Sequence, residues 1–96
     1  MIASFGDKAT EALYHGIRGK QVLRIPPHVA RVALRKLDVL NAAKQLTDLR
    51  TPAGNRLESL RGDLKGFYSI RVNDQWRVVF RWSGSDALDV RVTDYH

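Results

Sequence analysis

The chain's 96 residues fit one domain, 1–96, and leave little room for a second. It has no cysteine and only three histidines (His15, His28, His96), none at metal-ligand spacing, so neither a disulfide framework nor a structural metal is expected. Sixteen Lys and Arg against ten Asp and Glu leave a net charge of +6, and eleven of the sixteen are Arg, whose planar fork suits phosphate; this points to an anionic partner, nucleic acid first, against a plain solubilising surface.

In chain order, MIASFGDKATEAL carries an acid early and no long apolar run, which does not read as a signal peptide. No stretch approaches the roughly 20 apolar residues of a membrane span, so a cytoplasmic protein without membrane contact is expected. Residues 1–5 alternate and predict a first strand. Asp7 is placed to cap a short helix over 9–15, closed by Gly16. Gly19 and its basic neighbours make a loop. Pro26-Pro27 suits a first helical turn, where a missing N–H costs nothing. From His28 the pattern is helical: Ala30, Ala33/Leu34, Leu37 and Asn41 recur, with Val29, Val32, Lys36 and Leu40 on the adjoining stripe. A second helical piece is expected over 42–48, capped by Asn41, which would bend the chain there.

TPAGN at 51–55 is a loop by its turn residues, and beyond it the apolar period changes to two. Leu57 and Leu60 suit a short strand ended by Gly62-Asp63. Strands are expected over 67–72, 76–82 and 88–93, with turns at Asn73-Asp74 and over 83–86. Connections this short join antiparallel neighbours. Helices first and then a strand meander predict an α+β domain, with the helices packed on one face of a small curved antiparallel sheet.

Alternation puts Tyr68, Ile70, Val72, Trp76, Val78, Phe80, Trp82, Leu88, Val90 and Val92 on the helix side. The other face carries Phe67, Ser69, Val79, Asp89 and Thr93 together with Arg71, Arg77, Arg81 and Arg91. The strands supply too few acids to neutralise these four guanidiniums, which favours phosphate contact over pairing with Asp89 or neighbouring acids in a merely wet face. Tyr95 shares the parity of Arg91. Trp76 and Trp82 read as core rather than as RNA-stacking platforms, and His15 and His28 as structural residues at helix ends.

The run NRLESLRGDLKGFYSIRVNDQWRVVFRW over 55–82, with the terminal DYH, resembles the HigB-type killer toxins (plasmid maintenance system killer proteins) within the RelE-like toxin superfamily. The resemblance is weaker over MIASF, EALY and LDVLNAAKQLTDL. It implies a compact α+β toxin of a type II toxin–antitoxin system that cleaves messenger RNA in the ribosomal A site and so inhibits translation. It also implies a helix-turn-helix, HigA-like antitoxin, with operator DNA reached only through that partner. By match to the family's motifs, Arg61 in LRGD contacts RNA, Arg77 in QWR binds the scissile phosphate, and Asp94, Tyr95 and His96 form the terminal triplet tied to activity. Glu58 stands where some relatives carry a histidine, and it reads equally as a catalytic base or as a plain strand residue.

RNA cleavage without a metal needs a base for the 2′-OH, cations for the phosphorane and an acid for the leaving 5′-oxygen. Arginine stays protonated and serves only the second need. His96, with an ordinary pKa of about 6.5, suits general acid, with Asp94 orienting it, Tyr95 stacking on a base or bonding the phosphate, and Glu58 as candidate base. No cofactor is expected. The alternatives are a non-catalytic RNA- or ribosome-binding domain, or a module whose chief partner is the antitoxin.

Overall fold

The computed structural model describes residues 1–17, 19–20 and 22–94. Two helices, α1 (Lys8–Tyr14) and α2 (Pro27–Ala42), lie against one face of a four-stranded antiparallel sheet. Its strands, β1 (Glu58–Ser59), β2 (Phe67–Arg71), β3 (Trp76–Ser83) and β4 (Asp86–Asp94), stand side by side in chain order. That is the predicted α+β architecture.

Local chemistry sets the helix ends. Asp7 is extended, and its carboxylate accepts from the Thr10 N–H at 2.8 Å, satisfying a donor the first turn leaves open. Gly16, at φ +71°, takes the left-handed conformation just past α1. Pro27 opens α2 where its missing N–H is not needed. Val29, Ala33, Leu37 and Leu40 form the buried stripe of α2, while Leu34 of the predicted stripe is exposed. The buried line therefore runs between the two stripes, taking Ala33 and Leu37 from the first and Val29 and Leu40 from the adjoining one.

The predicted second helical piece over 42–48 is present only as a shifted, tighter 3₁₀ turn. α2 runs through Asn41 without a break, and a 3₁₀ segment follows at Leu46–Arg50. Asn41 caps nothing there, because its Oδ1 accepts from the backbone N–H of Ile2 at 2.9 Å. Asp48 takes the capping role, accepting from the Lys44 and Gln45 N–H groups, both at 3.0 Å.

The predicted first strand is present as two isolated parallel bridges to β4, at Ile2–Ala87 and Phe5–Val90. β4 carries an extra residue. Val79 pairs with Arg91, but Arg81 pairs with Leu88, and Asp89 between them sits at φ +52°. Such a bulge shifts the alternation of everything beyond it by one. Ala87 therefore fills the core, and Leu88 stands opposite Arg81 on the arginine face, contrary to the strict alternation read from the sequence.

One apolar cluster joins Leu37 and Leu40 of α2 to Ile70, Val78, Phe80, Val90 and Val92 of the sheet. Trp76 belongs to it, and Trp82 packs against it while its indole N–H donates to the Gly84 carbonyl. Both tryptophans are thus engaged as the parity predicts.

Candidate functional site

The face away from the helices is neither uniformly wet nor uniformly positive. Ser69 and Val79 are buried on it. Arg77 reaches from β3 across β2 towards β1. Its Nη1 donates to Ser69 Oγ at 2.9 Å and, more weakly, to the Arg56 carbonyl at 3.4 Å, and its Nη2 donates to Glu58 Oε1 at 3.2 Å. The register explains the reach. Ser69 opposes both Val79 and Glu58, so the three strands bring these side chains onto one diagonal. Only 15% of the Arg77 side chain is exposed, against 52% for Glu58, so a half-embedded guanidinium holds a carboxylate that faces water.

The other arginines fall into two groups. Arg71 is the strand partner of Arg77 and pairs with Asp74 of the following turn. Arg81 pairs with Asp89 at 2.7 Å. The Arg81 and Arg91 guanidiniums lie 5.9 and 5.8 Å from the centroid of the Phe67 ring, within cation–π reach. The expectation of too few acids to neutralise the four guanidiniums is narrowed: three of the four have an acid partner among the described residues. Asp74 comes from a turn, Asp89 from the bulge and Glu58 from β1, and only Asp89 lies in the alternation of the long strands. Surface ion pairs of this kind are worth only about 0–1 kcal/mol, so an incoming phosphate can compete with them.

The remaining predicted residues are more dispersed. Arg61 is exposed at the turn after β1. Asp94 stands across from Trp76 and accepts from Gln75 Nε2 at 2.7 Å, one position beyond Thr93, the strand partner of Arg77. Tyr95 and His96 lie outside the described residues. Ser69 and Phe67 were legible as members of the arginine face, but not their roles in bracing Arg77 and flooring Arg81 and Arg91. Gln75 left no sequence signal. Among the described residues no group of three His, Cys, Asp or Glu side chains is arranged to hold a metal ion.

Residues 3–96 match the family described as the RelE-like toxin of the type II toxin–antitoxin system, HigB. The chain belongs to the HigB-like toxin family. It is 43% identical over 89 residues to Toxin HigB-1 of Vibrio cholerae, covering 93% of this chain and 92% of that one. It is 32% identical over 71 residues to Endoribonuclease HigB of Proteus vulgaris, covering 68% of this chain and 77% of that protein. The fold is also that of the YoeB–YefM complex from Staphylococcus aureus: TM-score 0.61 at 14% identity, covering 100% of this chain and 98% of that one. This HigB-like toxin therefore carries the predicted RelE-like fold. No helix among its described residues is long and apolar enough to cross a membrane.

Proposed function

We propose that this toxin is a ribosome-dependent endoribonuclease that cuts messenger RNA at a centre built around Arg77. The observation that carries the reading is the Arg77 guanidinium braced between Ser69 and Glu58 on an arginine-rich face, in a chain of a toxin family with a member named endoribonuclease.

The chemistry follows from the groups. A base takes the proton of a ribose 2′-OH, and that oxygen attacks the adjacent phosphorus. The bond to the 5′-oxygen breaks, leaving a 2′,3′-cyclic phosphate, and an acid returns a proton to the departing oxygen. Arg77 neutralises the charge that gathers on the phosphorane. Glu58, which accepts a hydrogen bond from that guanidinium, is assigned the base role. His96 is assigned the acid role, with Tyr95 on the substrate and Asp94 orienting the terminus. Arg61, Arg71, Arg81 and Arg91 bind flanking RNA. No group in this scheme requires a metal. The ribosome aligns the message, which supplies much of the rate that a sparse catalytic set does not. The partner is a HigA-like antitoxin with a helix-turn-helix domain, in keeping with the type II family description and with the toxin–antitoxin complex among the structural neighbours.

A reconstituted translation reaction tests this. The toxin should cut a ribosome-bound message and leave the same RNA intact without ribosomes. Glu58→Gln should slow cutting by about 100-fold or more while ribosome binding persists. Equal cutting of naked RNA would remove the ribosome from the account. An unchanged rate in Glu58→Gln would reduce Glu58 to an ion-pair partner. Blocked translation with uncut message would favour the binding-only reading.

A further inference from the structure

A cleft of about 420 Å³ opens at the C-terminal end of β2, between α2 and the 52–55 segment. Its charged wall is Arg35, Lys36 and Arg71, and its apolar wall includes Val39 and Pro52. None of these residues except Arg71 enters the cutting scheme. We propose that the cleft is a nucleotide subsite, in which Arg35, Lys36 and Arg71 take one phosphate of the bound RNA next to the linkage held at Arg77, while Val39 and Pro52 pack against the attached nucleoside. The inference rests on the RNA-cleavage reading and adds a second contact point on the strand.

Several observations converge. Lys36 is held in place. It donates to the Oδ1 of Asn55, a fully buried residue whose Nδ2 is bonded to the Leu49 and Thr51 carbonyls, both at 3.3 Å. An ammonium has three donors, so two remain for a ligand. No carboxylate among the described residues pairs with Arg35 or Lys36, and the one acid on Arg71 belongs to the solvent-exposed Asp74. The cations are close enough to feel one another: burial first, then Arg35 and Arg71, holds the Lys36 ammonium below the usual lysine range. An anion in the cleft relieves that strain. Continuity selects the kind of anion. Arg71 is the strand partner of Arg77, which puts their Cα atoms about 5 Å apart, so a polyanionic strand crossing Arg77 meets Arg71 next. An isolated carboxylate could satisfy the cations, but it would use neither the apolar wall nor the link to Arg77.

The test uses an uncleavable 2′-O-methyl dodecaribonucleotide, so that binding is read apart from cutting. In fluorescence anisotropy the Arg35→Gln, Lys36→Gln double variant should bind about ten-fold more weakly. Its salt dependence should be shallower by about 0.7 per lost phosphate contact. Arg35→Gln alone, which breaks no hydrogen bond or ion pair among the described residues, should show part of the loss and guards against misfolding. Lys8→Gln, an exposed change on α1, should match wild type. In NMR titration the oligonucleotide should shift the amides of Lys36, Gly54 and Asn55. Wild-type affinity and salt slope in the double variant overturn the inference, as does an oligonucleotide that leaves those amides unmoved. Amides that respond to a decaglutamate peptide alone overturn it in favour of a protein partner. A toxin that binds through the cleft but cuts no message would contradict the cleavage reading and leave the subsite standing.

Discussion

Arg77 and Glu58 differ in how far their neighbours can be read from the chain. The match in QWR marks Arg77, and alternation places it on the right face. Its brace is invisible in one strand, because Ser69 and Glu58 come from two others. Asp89 shows the reverse case. As a strand residue it reads as one acid in an alternating run, yet at φ +52° it makes the bulge that turns Leu88 outward. A left-handed aspartate is uncommon enough to escape a parity count. Asp48 carries the clearest pH signature. The backbone N–H groups of Gln45 and Lys44 hold its carboxyl below the usual range. A depressed carboxylate stabilises the fold above its ordinary pKa of about 3.9, and that contribution is lost as pH falls through the folded value. Asp48→Asn should therefore lower the urea midpoint at neutral pH, and the gap to wild type should close on acidification. A gap that persists unchanged at low pH would show that the charge contributes nothing.

Among the elements, β4 explains most of what the chain conceals. It is an edge strand, and an open edge invites pairing with other chains. Here residues 1–6 run parallel beside it: Ala3 and Gly6 donate to the Ala87 and Val90 carbonyls, and Ala87 and Val90 donate to those of Met1 and Ser4. Ser4 Oγ accepts from Asp89, and the fully buried Thr10 Oγ1 from Val92 at 2.8 Å. Gly6 fits because a Cβ there would meet the Asp89 carbonyl at 2.7 Å. The meander and its short turns were legible from local pattern, as was the Asp7 cap. This covering, more than 80 residues away in sequence, was not, and neither was the use of Asn41 to bind the Ile2 N–H rather than to cap a second helical piece. Thr10→Val keeps the shape but orphans the Val92 N–H, and should destabilise by about 1–3 kcal/mol in urea unfolding. A loss under a few tenths would mean that water replaces the hydroxyl.

At the scale of the molecule, the sheet separates two jobs. One face buries the core against α1 and α2; the other gathers arginines around Ser69 and Phe67, and at the C-terminal end of β2 Arg71 also lines the Arg35–Lys36 cleft. The net charge of +6 favours encounters with polyanions. Composition conveyed that inclination, and the family match gave it a direction. The spatial division into an Arg77 centre, an aromatic-floored Arg81–Arg91 pair and a lateral cleft required the register. The account stands most directly on transcriptome-wide mapping of messenger 5′ ends after brief induction of the wild-type toxin and of Arg77→Ala. Wild type should arrest growth and create new ends phased to codons, and Arg77→Ala, folded and equally abundant, should reduce them by about 100-fold or more. Growth arrest without new ends, or undiminished cutting by Arg77→Ala, would contradict it.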